Sequence, residues 1–256
     1  MNNWQLLHTE VNNGVGFLYL DNGQRFNTLH SECINELRAA LSSLEKDSTV
    51  GCVVLTGAPG ESFAVGANIA EMHDFKSLDA WKFSRLGNEL FEQIETSTKP
   101  IIGALNGITM GGGCDLALAC DIRLASDRLQ VAHPGGKLGI ITGFCGTQKL
   151  PRLVGINKAK EIFMTSRTYS AEEAFRMKLV EQVYPADQFM QKVREYAEPI
   201  AQQPPMALHL IKKLLNASEN ICVANGQVME LGAFASLFPR AGKMERIEDF
   251  FAQHSD

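Results

Sequence analysis

Lys99-Pro100-Ile101-Ile102-Gly103-Ala104-Leu105-Asn106-Gly107-Ile108-Thr109-Met110-Gly111-Gly112-Gly113-Cys114-Asp115-Leu116-Ala117-Leu118-Ala119-Cys120-Asp121 is the stretch whose reading decides the fold. The apolar run after the proline reads as a buried strand and Asn106-Gly107 as a turn. The three glycines signal close backbone approach, and Cys114 to Ala119 reads as a helix that opens on an acid. A strand, a glycine corner and a helix N-terminus in this order can aim free amides at an anion, because the first helical N–H groups have no partner within the helix. A tight turn that merely saves space would use the same glycines, so a second segment is needed to choose.

That segment lies upstream. Gly51-Cys52-Val53-Val54-Leu55-Thr56-Gly57 reads as a strand, and Glu61-Ser62-Phe63-Ala64-Val65-Gly66-Ala67-Asn68-Ile69-Ala70-Glu71-Met72 as a small-residue loop entering another helix. It too can present a free amide. Two amides converging on one oxygen favour the enolate-like charge that develops on a thioester carbonyl.

Together these segments resemble the crotonase superfamily, the enoyl-CoA hydratase/isomerase family. The likeness is carried by Phe63 to Ile69, Pro100 to Gly107, Gly111 to Ala117, Cys120 to Arg123 and Gly146-Thr147-Gln148-Lys149-Leu150-Pro151-Arg152, in the family's order and spacing over nearly the whole chain. The resemblance implies an α/β fold, a crotonase-like spiral of ββα repeats over residues 1–200. A C-terminal helical region, residues 201–256, would serve trimerisation. It also implies an acyl-CoA thioester substrate, with CoA present only as part of that substrate and no other cofactor or metal. The assembly it implies is a homotrimer or a dimer of trimers.

By the same resemblance Ala67 and Gly112 supply the two oxyanion amides, and Ala64, Gly66, Asn68, Ile69, Gly111, Gly135, Gly143 and Phe250 line the substrate. Asp115 stands where many relatives carry a glutamate and is the expected proton carrier. It is one methylene shorter, which costs roughly 1.5 Å of reach. Hydratases of the family have their second glutamate just after the proline of Val131-Ala132-His133-Pro134-Gly135-Gly136-Lys137-Leu138-Gly139, where this chain has Gly135. Imidazole as a side-chain type exchanges protons near neutrality, which makes His133 the candidate replacement; His73 is a weaker one. With one acid, isomerisation or decarboxylation is simpler than hydration, and hydrolysis would need a base for water that the sequence does not show. A CoA-binding or assembly protein that has lost catalysis is the remaining alternative. Family lysines that grip CoA are missing at Ala70 and Gln253, with Arg25, Lys137 and Lys243 as candidate substitutes.

Composition sets the remaining bounds. A chain of 256 residues with 45% hydrophobic content holds one sizeable core without disulfide staples. A net charge of −5 gives no basic field for nucleic acid or an anionic membrane. The six cysteines show neither C-x-x-C nor metal-ligand spacing, and no apolar run reaches spanning length, so a cytoplasmic protein with free thiols is expected. The expected elements include a hairpin of Leu6 to Glu10 with Val15 to Leu20, Ser31 as a helix N-cap, and a long helix from Leu78 to Ile94. An apolar stripe at Val228, Leu231, Phe234, Ala235 and Phe238 is read as packed within the subunit or between subunits. Asp121 and Arg123 are read as an internal ion pair or as caps on neighbouring backbone.

Overall fold

In the middle of the chain successive strands alternate between two sheets, and each such pair is followed by a helical segment. The computed structural model describes residues 4–239, 246–248 and 251–252. Its strands are β1 (Leu7–Asn12), β2 (Val15–Leu20), β3 (Cys52–Gly57), β4 (Ser62–Ala64), β5 (Ile101–Leu105), β6 (Ile108–Met110), β7 (Ile122–Ser126), β8 (Gln130–Ala132), β9 (Tyr169–Ser170) and β10 (Gln182–Tyr184). Its helices are α1 (Ser31–Lys46), α2 (Ile69–Met72), α3 (Ser77–Thr96), α4 (Gly112–Ala119), α5 (Gly146–Val154), α6 (Ile156–Thr165), α7 (Ala171–Arg176), α8 (Phe189–Ala201), α9 (Pro205–Ser218) and α10 (Val223–Leu237), with a 3-10 helix at Pro134–Leu138.

The first sheet has the order β1-β2-β3-β5-β7-β10 and the second β4-β6-β8-β9. Thus β3-β4, β5-β6 and β7-β8 each place one strand in each sheet, and parallel pairing stacks each repeat on the last. This is the crotonase-type spiral of ββα repeats. Asn106-Gly107 makes one of its corners. Asn106 accepts from the Gly57 amide at 3.1 Å, and a Cβ on Gly107 would lie 2.3 Å from the Glu61 carbonyl, so one corner nests on the preceding one.

The hairpin of β1 and β2 forms as expected, but β2 does not alternate between core and solvent. All six of its residues are buried, because the sheet is covered on both faces. Leu18 and Leu20 join the core with Leu37 and Leu41 of α1, while Val15, Phe17 and Tyr19 pack with Phe189, Val193 and Ala197 of α8. One local expectation changes. The N-cap of α1 is His30, and Ser31 is the first helical residue, with its hydroxyl donating to Glu71 at 2.5 Å. Of the two readings of Asp121 and Arg123, capping holds: the Asp121 carboxylate accepts from the Ile101 amide and Arg123 donates to the Cys120 and Leu179 carbonyls, while its ion pair is with Glu181 at 2.5 Å.

Two compact units divide the chain, Met1–Gln203 and Pro204–Asp256, and the first contains both sheets. In the second, the α10 stripe is exposed at Val228, Leu231 and Phe234, and Phe238 just beyond the helix is exposed as well. Among the described residues no helix is long and apolar enough to cross a membrane.

Candidate active site

Register brings the glycine corner to the end of β8. Met110 lies opposite Ala132, and the Gly111 amide donates to the Ala132 carbonyl at 2.9 Å. His133 is therefore the next residue along β8, level with Gly111, and Gly112 follows directly. Gly111 sits at φ 53, ψ −122, a left-handed backbone that glycine adopts without a Cβ penalty, and it turns the chain straight into α4. No side chain caps α4, so the amides of its first turn point out of the helix without an intrahelical acceptor.

The upstream loop meets this corner edge on. Leu29 bridges Ala67: its amide donates to Gly66 at 2.8 Å, and its carbonyl accepts from Asn68 at 3.2 Å. In parallel pairing the residue flanked by these two bonds turns its own N–H the other way. The Ala67 amide accordingly faces away from Leu29 and toward α4, where a Cβ on Gly112 would lie 3.4 Å from it. Gly66, at φ 94, approaches so closely that a Cβ there would lie 2.9 Å from the Gly112 nitrogen. The backbones of Ala67 and Gly112 are neighbours.

One helical turn into α4, Asp115 is buried, and so is His133; their residue exposures are both 2%. The two side chains meet at 2.8 Å between Oδ1 and Nε2. The other carboxylate oxygen accepts from the Thr142 hydroxyl, and Thr142 Oγ1 itself accepts from the Phe144 amide at 3.2 Å. With both carboxylate oxygens accepting, Nε2 is the ring nitrogen that donates to Asp115, and Nδ1 is the one left to exchange protons.

His133 also lies on the wall of an apolar cavity of about 260 Å³, with Ile140, Ile141, Thr142 and Phe163. Its ring packs on Phe163 with centroids 4.6 Å apart. The Asp115 side chain has no exposed surface, so it acts on a molecule in the cavity through the side chains that meet it on the wall, His133 and Thr142. Gly135 borders the same cavity from the 3-10 helix but offers no side chain. A buried imidazole oriented by a carboxylate beside outward-pointing amides can remove a proton and return it.

The other expected site residues divide. Asn68 caps α2, accepting from Ala70 and Glu71, and the Ala64 carbonyl packs under α4, where a Cβ on Gly113 would come within 1.9 Å of it. Ile69 is exposed, and the Gly143 carbonyl accepts from Ser84 and Asn88 of α3. Phe250, Lys243 and Gln253 lie outside the described residues. Arg25 is held by a two-pronged contact with Glu61, and His73 pairs with Asp74 on the surface. Thr142 was not foreseen: no motif marks it, and its partner is 27 residues away. The cysteines are free, and burial pushes the Cys33 thiol up to about 12 and raises those of Cys114 and Cys145. Among the described residues no group of three or more His, Cys, Asp and Glu side chains is placed to hold a metal ion.

The family model for enoyl-CoA hydratase/isomerase matches residues 10–252. A short-chain-enoyl-CoA hydratase from Clostridium acetobutylicum is 35% identical over 236 residues, which span 92% of this chain and 90% of that protein. A crotonyl-CoA hydratase from Syntrophomonas wolfei is 34% identical over 236 residues, 92% of this chain and 91% of that one. The crystal structure of an enoyl-CoA hydratase from Bacillus anthracis superposes with a TM-score of 0.93 at 31% identity, covering 97% of each chain. On sequence, fold and the arrangement around Gly112, this chain belongs to the enoyl-CoA hydratase/isomerase family of the crotonase superfamily.

Proposed function

We propose that this enzyme adds water across the double bond of an enoyl-CoA thioester, using one buried pair, His133 with Asp115, to move the proton. The observation that carries it is the 2.8 Å contact between these side chains, one turn from the Gly112 amide and on the wall of an apolar cavity. The Ala67 and Gly112 amides take the thioester oxygen. They favour the state in which negative charge has moved from the double bond onto that oxygen. His133 Nδ1 removes a proton from water as the water oxygen bonds to the β-carbon, and Asp115 stabilises the imidazolium. The imidazolium then gives its proton to the α-carbon as the enolate collapses. Hydroxyl and hydrogen have been added, and the pair is restored.

A single pair thus does what two acids do elsewhere in the family, which removes the objection raised by Gly135. The names of the hydratase relatives support water addition and a short acyl chain, and the small apolar cavity accords with both. CoA enters as part of the substrate, and the reading invokes no other cofactor. The exposed α10 stripe supports burial between copies in a trimer or a dimer of trimers. Free cysteines support a reducing, cytoplasmic setting. A second reading, double-bond isomerisation, is favoured by Gly135, because one base that lifts a proton from one carbon and returns it to another needs no second acid.

Mass spectrometry of crotonyl-CoA incubated with the protein decides between them. The expected product is heavier by one water, formed by the wild type and not by His133→Gln. Failure to add water would overturn the hydratase reading. Conversion of a 3-enoyl-CoA to the 2-enoyl isomer would then establish isomerisation, loss of carbon dioxide from a carboxylated acyl-CoA would establish decarboxylation, and binding of CoA without turnover would establish a binding protein.

A further inference from the structure

We propose that Thr142 is a positioning residue for this reaction: its hydroxyl locks the Asp115 carboxylate in the orientation that keeps the His133 lone pair on Nδ1. The proposal rests on the proton transfer assigned to His133 above. The carboxylate is enclosed on three sides. His133 Nε2 meets Oδ1, the Thr142 hydroxyl meets Oδ2, and on the third side a Cβ at Gly146 would lie 1.9 Å from Oδ1 and 3.1 Å from Thr142 Cγ2.

The direction of the Thr142 bond is fixed by its surroundings. Because Oγ1 already accepts from the Phe144 amide, its hydrogen is free to go to Asp115. The Phe144 ring is itself clamped between Phe83 and Phe91, with centroids 5.3 and 5.5 Å away. The anchor is therefore rigid, and the hydroxyl has one place to point. Without it, the imidazole is the one side-chain donor left to the buried carboxylate among the described residues. It can then turn about its last torsion, and the imidazole loses its fixed angle.

Steady-state kinetics on crotonyl-CoA with Thr142→Val and Thr142→Ser test this. Valine keeps the shape and removes the hydroxyl, while serine keeps the hydroxyl. The expected result is a kcat lower by roughly tenfold to a hundredfold in Thr142→Val, the size of a lost hydrogen bond to a charged group. KM should be unchanged, and Thr142→Ser should restore kcat. A second readout needs no substrate: the downfield imidazole N–H resonance, absent in His133→Gln, moves in Thr142→Val and returns in Thr142→Ser. Wild-type kcat in Thr142→Val, a rise in KM alone, or equal loss in both variants would overturn the proposal. Asp115→Asn in the same assay separates the two levels of failure. If it turns over normally, the proton-transfer reading has failed; if it is inactive while Thr142→Val is not, only the role of Thr142 has.

Discussion

Asp115→Asn is expected to lower kcat for an enoyl-CoA by about a thousandfold while leaving the fold intact, as read by steady-state turnover and the thermal unfolding midpoint. Positioned acid–base groups typically contribute about 10²- to 10⁴-fold, and in the proposed mechanism one pair carries the whole proton transfer. The amide is nearly isosteric with the carboxylate, so the enclosure by His133, Thr142 and Gly146 survives. What it loses is charge. If its NH2 faces His133, the imidazole must accept at Nε2, and its proton moves to Nδ1, where the base was. If the amide turns the other way the tautomer is kept, but nothing stabilises the imidazolium. Either way the base is disabled. Turnover within a few-fold of wild type would remove Asp115 from the mechanism.

Gly113→Ala is expected to give the largest loss of stability. A Cβ there would lie 1.9 Å from the Ala64 carbonyl oxygen and 2.5 Å from its carbon, and backbone atoms cannot step aside as a flexible side chain can. The first turn of α4 would have to part from β4, the contact that brings the two amide-bearing segments together. Overpacking of this kind costs about 3 kcal/mol, which for a chain of this size lowers the unfolding midpoint by roughly 10 °C. Activity should fall with it, because the spacing of Ala67 and Gly112 changes. Gly232→Ala is the matched control: no atom lies within 4 Å of its added Cβ, and α10 gains a better helix former. Its midpoint should be unchanged or higher. A Gly113→Ala protein as stable as wild type would mean that α4 and β4 are not packed as described.

The three glycines of the central stretch show how far sequence alone reaches. Their run signals close approach, but each answers a different need. Gly111 takes a left-handed backbone, Gly112 borders the Ala67 amide, and Gly113 lies against the Ala64 carbonyl. The strands of the spiral were legible because strands covered on both faces read as continuous apolar runs, as in Cys52 to Gly57 and Ile101 to Leu105. Partners far apart in the chain were not legible. Arg123 takes Glu181, 58 residues on, in place of its neighbour Asp121, and Asp115 meets His133 and Thr142 across 18 and 27 residues. Nothing local signals such contacts; they follow from the pairing of β6 with β8 and the return of the chain into α5. The same contacts give the shorter acid its place. An aspartate ends inside the wall, and the imidazole carries its influence to the cavity.

In the proposed mechanism the Ala67 and Gly112 amides and the imidazole of His133 converge on one thioester. A crystal structure of the protein with a saturated short-chain acyl-CoA bound tests it most directly. The expected result is a thioester oxygen about 3 Å from both amide nitrogens, with Nδ1 of His133 as the ring atom nearest the α- and β-carbons. A thioester oxygen out of reach of either amide, or acyl carbons lying away from His133, would contradict it.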